Sequence, residues 1–275
     1  MSSRKNGPDD GAGPAALAAA SFAQAFAQLR DELRAEHSPS SIAVALSGGL
    51  DSMVLLHLAH QAASAAGLPL FAFHVHHGLS PNADAWRAHC EAAAAALGVA
   101  FDHRDVMVEK GGSGVEAAAR KQRYAALGEM CRAHGVGLLL TAHHLDDQAE
   151  TVLLQLMRGS GPAGLSGMDA CNRAPTLLGD ERLVMARPLL AVARAELEAF
   201  AAARRIAWVE DESNSDPRYA RNALRHQVMP VLARAFPGFQ RRIARSGAHA
   251  QSAQRLLDEL AEQDLAACLA DEGLV

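Results

Sequence analysis

The stretch Ile42-Ala-Val-Ala-Leu-Ser-Gly-Gly-Leu-Asp-Ser52 decides the fold. An apolar run from Ile42 to Leu46 stops abruptly at Ser47-Gly48-Gly49, and Met53 to Ala66 then takes helical character. Strand, glycine turn and helix open a βαβ unit. The unit recurs downstream. Leu70 to Val75 reads as a strand, Asp84 to Leu97 as a helix and Val99 to His103 as a strand. Val115 to His134 is helical again, Leu138 to Thr141 is a buried strand, and a helix spans Asp147 to Met157. Strands alternating with long helices predict an α/β fold, an open parallel sheet with helices on both faces.

Upstream, Ala15 to Glu36 reads as a helix, with Phe22, Phe26 and Leu29 on one stripe. After Gly159 a glycine-rich loop runs to Gly167, and a short connection leads to Arg187-Pro188. A helix from Arg194 to Arg204 and a strand at Ile206 to Val209 complete the sheet domain. From Asn222 onward the chain reads as helix after helix. The expected organisation is a disordered tail at 1–15, a catalytic domain at 16–222 and a helical segment at 223–275.

The 275 residues, 49% hydrophobic and 21% charged, suffice for a buried core. No apolar run reaches membrane-spanning length, and the first residues lack the apolar core of a signal peptide, so no membrane partner is expected. Cys90, Cys131, Cys171 and Cys268 stand alone, without a CxxC pair. That excludes a disulfide framework and a zinc ribbon, and implies a reducing, cytoplasmic setting. Cys90 and Cys131 read as core residues, Trp86 and Trp208 as packing anchors. Although the net charge is −5, nine arginines fall between Arg204 and Arg245. They read either as a polyanion footprint or as a solvated helix face.

Ser47-Gly48-Gly49-Leu50-Asp51-Ser52 sits where a parallel sheet binds ligands, between a strand and its helix. Two glycines let the backbone approach an anion, and the helix start offers free N–H groups, together a nest for phosphate. A Walker loop would need a lysine, which is absent. Asp51 beside phosphate is repulsive unless a divalent cation bridges them, so Mg²⁺ is expected. The plainer alternative is a Gly-Gly turn capped by Ser and Asp. The second constellation is Thr141-Ala-His143-His144-Leu-Asp146-Asp147-Gln-Ala-Glu150-Thr151. Two imidazoles and three carboxylates in so short a run are costly to bury unpartnered. On a helix His143, Asp147 and Glu150 share a face, which suits a metal or a cationic substrate. The HExxH spacing of a zinc hydrolase is missing, and carboxylates favour Mg²⁺ or an ammonium. A structural capping cluster is the alternative.

SGGLDS at 47–52 resembles the signature loop of the N-type ATP pyrophosphatases, the PP-loop (adenine nucleotide α-hydrolase-like) enzymes. Within them, AHHLDDQAET at 142–151, running into LLQLMRGSGPAGLSGM at 153–168, resembles the tRNA(Ile)-lysidine synthetase family. HVHHGLS at 74–80, EAAARKQRY at 116–124, RPLL at 187–190 and EDESNSDPRYARNALR at 210–225 match it too. His76 and Ser80 depart from the family's usual asparagine and arginine.

The resemblance implies an ATP-dependent carbon–nitrogen ligase. It would adenylate C2 of the wobble cytidine in isoleucine tRNA with a CAU anticodon, and free lysine would then displace AMP. Ser47, Gly48, Gly49, Leu50, Asp51 and Ser52 are implied to hold the pyrophosphate part of ATP, Ala45 and His74 its adenosine, and Asp51 also Mg²⁺. Asp51, Arg120, His143 and Asp147 are the implied catalytic residues. Asp147 and Glu150 would bind lysine. Arg158, Arg218, Arg221 and Arg225, with Arg241, Arg242 and Arg245, would contact tRNA. The helical segment is implied to begin a tRNA-contacting domain truncated at Val275, and a homodimer is left open. A rival PP-loop thiolase would want paired cysteines. A non-catalytic ATP-binding module would leave the His143–Glu150 cluster without purpose.

Overall fold

The computed structural model describes residues 13–34, 39–76, 78, 80–107, 115–210 and 220–270. Residues 1–12 of the expected tail, and Arg218, lie outside them. The chain begins with α1 (Pro14–Arg34), β1 (Ile42–Ala45), α2 (Leu50–Ala66), β2 (Leu70–His76), α3 (Ala83–Ala96), β3 (Ala100–Asp105) and α4 (Val115–Ala133). It continues through β4 (Leu138–Leu140), α5 (Leu145–Met157), α6 (Pro162–Leu165), β5 (Cys171–Arg173), α7 (Pro175–Leu178), β6 (Val184–Ala186) and α8 (Arg194–Arg204). Then come α9 (Ala220–Ala223), a π-helical turn at Leu224–Val228, α10 (Met229–Ala235) and α11 (Phe239–Ala270).

The strands form one sheet in the order β3-β2-β1-β4-β6-β5. Every pairing is parallel except the last, where β5 runs antiparallel to β6 with Cys171 opposite Ala186. This edge departs from the all-parallel expectation. The return through α7 is too short for the crossover that a parallel pair requires. Ile206 to Val209 also differs, since it joins no ladder. Val209 N–H instead donates to Gly48 O at 3.0 Å, beside the glycine turn.

Strand alternation sorts the core. Ile42, Val44, Leu138 and Leu140 face one side with α1, α2 and α8 residues such as Phe22, Leu55 and Phe200. Ala43, Phe73, Leu139 and Met185 face the other, against Tyr124, Leu127 and Met130 of α4 and Leu178 of α7. Each large side chain so buried contributes about 1.5–3 kcal/mol. Gly128 lets α4 approach α7, because a Cβ there would run into the Leu178 carbonyl oxygen. A third cluster, Ala149 and Leu153 with Leu224, Met229 and Phe239, seats the C-terminal helices on α5. Beyond Gln254, α11 is exposed, Leu256, Leu260 and Leu265 included.

Cys90 and Cys131 are buried, and burial pushes both thiols up to about 12. Trp208 differs from its expected role as an anchor, being 40% exposed. No helix among the described residues is long and apolar enough to cross a membrane.

Candidate functional site

Chain order reverses between β1 and β4, since β2 lies to one side of β1 and β4 to the other. The crevice at their carboxyl ends is where ligands of such sheets bind, and both constellations sit there. After β1, Gly48 takes φ +90° and Gly49 caps α2 in extended conformation. Ser52 Oγ donates to Gly49 O at 3.0 Å and accepts from Ser47 N–H at 3.2 Å, while the Ser47 hydroxyl lies 3.0 Å away. The turn is thereby held with the first amides of α2 facing outward. Side chains pack tightly round Gly48. A Cβ there would meet Val209 Cγ2 at 3.0 Å and Cys90 Sγ at 3.1 Å. His74, on β2, places Nδ1 2.8 Å from Leu46 O, and Ala45 ends β1 half-buried. Burial, outweighing that hydrogen bond, pulls the His74 pKa down.

After β4, Thr141 N–H continues the ladder to Ala186 O at 2.9 Å, and its Oγ1 lies 3.0 Å from His143 Nδ1. Burial drives the His143 pKa down to about 3, with Arg187, Arg120 and Arg221 pushing the same way against Asp147. His143 is therefore neutral at ordinary pH. His144 caps α5, its Nδ1 accepting from Asp146 N–H at 3.2 Å while Asp147 Oδ2 accepts from His144 N–H at 3.1 Å. Its Nε2 faces Asp51 Oδ2 at 3.6 Å and Asp147 Oδ2 at 3.4 Å, so this imidazole joins the two constellations. Burial opposes its protonation, but the carboxylates of Asp51, Asp147 and Asp146 prevail and raise its pKa. Asp146 itself accepts from the N–H of Arg194 at 2.9 Å and from Gln240 at 3.2 Å.

One turn along α5, Glu150 is 1% exposed. Arg221 Nε donates to Glu150 Oε2 at 2.8 Å, and its Nη2 to Asp147 Oδ1 at 3.2 Å. Arg225 donates from Nε to Glu150 Oε1 at 2.6 Å and from Nη2 to Asp147 Oδ1 at 3.0 Å. Two carboxylates and two guanidiniums make a formally neutral quartet. Burial would raise the Asp147 pKa, but His144, Arg221 and His143 with a backbone N–H hold it below the usual carboxylate range. A cleft of about 210 Å³ opens beside the quartet, lined by His144, Asp146, Glu150, Arg194 and Arg225. Asp51 Oδ1 is buried without a hydrogen-bond partner among the described residues, a hard oxygen ligand available to a divalent cation beside the phosphate nest.

The structure thus gathers Ser47 to Ser52, His143, Asp147, Glu150, Arg221 and Arg225 into one region. Arg120 stands across from them on α4, its guanidinium 4.9 Å from the Tyr124 ring centre. Arg158 is apart. It ends α5, about 20 Å from His144 at helical rise. Arg241 pairs with Glu196 at 2.8 Å and Arg242 donates to Pro237 O at 2.8 Å. Residue patterns did not single out Arg187, Arg194 or Gln148. Gln148 clamps the backbone of Met168 from both sides, Nε2 donating to its O at 3.0 Å and Oε1 accepting from its N–H at 2.8 Å. Arg187 lies within the RPLL stretch, which was legible as a motif without its role.

A family model described as a PP-loop domain matches residues 19–232. The chain is similar to a tRNA(Ile)-lysidine synthase of Burkholderia mallei, 53% identical over 243 residues, which are 88% of this chain and 48% of that protein. It is similar likewise to one of Pseudomonas aeruginosa, 52% identical over 227 residues, 82% of this chain and 49% of that protein. The chain spans about half the length of the curated relatives it matches. Among solved structures, a U34-tRNA thiolase of Methanococcus maripaludis shares the fold at a TM-score of 0.66 and 17% identity, over 89% of this chain and 80% of that one.

Proposed function

The chain belongs to the PP-loop domain family, and from that membership we propose that it acts as a tRNA(Ile)-lysidine synthetase in the cytoplasm. It would activate C2 of the wobble cytidine in CAU-anticodon isoleucine tRNA with ATP, then join free lysine there, releasing AMP and pyrophosphate. The observation that carries this reading is His144, whose Nε2 faces both Asp51 of the SGGLDS loop and Asp147 of the AHHLDDQAET helix start.

In this reading the loop amides and hydroxyls from Ser47 to Ser52 bind the pyrophosphate part of ATP, with adenosine over Ala45 and His74. Mg²⁺, held through Asp51, would neutralise charge on the leaving pyrophosphate. Asp147 receives the ammonium of lysine, Arg221 giving up its hydrogen bond there, and Glu150, expected with it as a lysine ligand, supports it from behind through Arg221 and Arg225. An amine attacks only when unprotonated, and the burial that, with Arg187, Arg120 and Arg221, keeps His143 neutral also favours the free amine. His143 then aligns the amine through Nε2, while Thr141 lies against its Nδ1. Arg158 and Arg218, with the arginines of α11, contact tRNA phosphate, so binding should weaken with salt; Arg221 and Arg225, expected there too, are instead committed to Asp147 and Glu150.

The test is incubation with ATP, Mg²⁺, the tRNA transcript and radiolabelled lysine. Wild type should form AMP and incorporate lysine, and Asp147→Ala should do neither. ATP binding without AMP or incorporation would overturn the reading in favour of a non-catalytic ATP-binding module.

A further inference from the structure

Arg187 follows β6 and is only 7% exposed. Its Nη1 donates to Asp169 O at 2.7 Å and to Asn172 Oδ1 at 2.8 Å, and its Nη2 reaches only the Met185 sulfur at 3.9 Å. Its Nε is buried with no partner among the described residues. Among the described residues no carboxylate pairs with it, whereas Arg194, Arg221 and Arg225 each have one. A buried guanidinium without a counter-charge is costly. A second guanidinium, that of Arg120, stacks on buried Tyr124 nearby, also without an ion pair among the described residues. Burial above all makes the charge on Arg187 hard to hold, Tyr124 and Asp169 offsetting this in part and Arg120 adding to it. With no ion-pair partner of their own among the described residues, the two guanidiniums offer a site to an anionic ligand.

Three observations choose the anion. β6 lies two strands from β1 in the sheet, about 10 Å at ordinary strand spacing, which sets Arg187 to one side of the phosphate cradle at Ser47 to Ser52. Its burial excludes a polynucleotide backbone. His143 also feels Asp147 as an anion and Arg187 and Arg120 as cations. Negative and positive ends thus flank one imidazole, the arrangement a zwitterion matches.

We infer that Arg187, with Arg120 at the mouth, receives the carboxylate of the amino-acid substrate, laying its amine end toward His143 and Asp147. This rests on the ligase reading above. A guanidinium fork suits a carboxylate because two parallel N–H donors meet two oxygens.

The test is calorimetric titration of the full chain, with ATP and Mg²⁺ present, using L-lysine, lysinamide and 1,5-diaminopentane. Wild type should bind lysine at least about tenfold more tightly than either ligand lacking the carboxylate, as loss of a charge-assisted pair predicts. Arg187→Met should remove that preference by weakening lysine alone, with ATP affinity unchanged. Arg120→Gln, on an exposed position that leaves the core intact, should narrow it. Equal binding of all three ligands by wild type would overturn the inference alone. So would an Arg187→Met variant that loses ATP and keeps lysine, which would assign the site to a nucleotide phosphate. Failure of wild type to bind any of the three would overturn the ligase reading and this inference with it.

Discussion

Arg225 grips Glu150 with two prongs across 75 residues of chain, Nε on Oε1 at 2.6 Å and Nη2 on Oε2 at 2.8 Å. Glu150 has no access to water that could replace that partner. The pair therefore fixes the segment after Ala220 onto α5, so a carboxylate of the candidate site and the C-terminal helices share one anchor.

Arg225→Ala should destabilise the fold by about 3 kcal/mol or more, because it leaves a carboxylate buried beside one remaining guanidinium. Urea unfolding measures it. Paired with Glu150→Gln in a double-mutant cycle, the combined loss should fall short of the sum of the single losses. Additive losses would mean that the two side chains act independently.

Acid should weaken the fold through His143. Unfolded, this imidazole titrates near 6.5; folded, near 3. Between those values the unfolded chain holds the extra proton, so the stability present above pH 6.5 declines as pH falls toward 3. Asp147, held below its ordinary range, adds a loss of the same sign at the acid end, as pH falls through its folded value. Because His144, its pKa raised, gains stability over the same range, the His143 contribution is read as a difference: the urea midpoint should fall further, or rise less, from pH 8 to pH 5 in wild type than in His143→Asn. Imidazole NMR should show no His143 inflection between pH 5 and 8.

Gly48→Ala should cost nucleotide binding as well as stability, since φ +90° and contacts to Val209 and Cys90 leave a methyl no room. Gly67→Ala is the control, sharing a positive φ with nothing within 4 Å. Both should lower the melting temperature through backbone strain. Only Gly48→Ala should weaken ATP in a titration, and equal ATP affinity in the two variants would contradict the close-packed loop.

Gln148→Glu keeps the acceptor for Met168 N–H but turns a carboxylate oxygen on the Met168 carbonyl. A buried donor lost this way costs about 1–3 kcal/mol. Hydrogen exchange should show earlier opening of residues 159–168, while the amides of β1 and β4 keep their protection. Unchanged exchange in the loop would show that the amide clamp does not hold it.

The parallel sheet was legible because Ile42 to Leu46 and Leu138 to Leu140 are apolar runs cut off by glycine or by charge, and both candidate loops follow such ends. β5 was not. Cys171-Asn-Arg is short and polar, and its pairing depends on a partner strand, not on its own pattern. Ile206 to Val209 read as a strand from its apolar character, yet its Val209 N–H goes to the glycine turn, a choice only tertiary packing decides. The identity of the site residues was written in the run from Thr141 to Thr151, whereas their pairing with Arg221 and Arg225 was not. Charge composition shows arginines; it does not show that their partners lie 70 residues upstream and buried. Arg187 escaped for the same reason, its meaning residing in burial without an ion-pair partner among the described residues.

Because β1 pairs with β4 across about 95 intervening residues, the two halves of the site meet only when a long loop closes, late on the folding path and at an entropic cost. β2, β3 and their helices can assemble on β1 beforehand. A chain caught at that stage would carry an ordered glycine turn facing an unfinished edge. On this topology, recovery of nucleotide binding during refolding should outpace recovery of any step that uses His143 or Asp147, so the order of assembly would be readable as a lag between two activities.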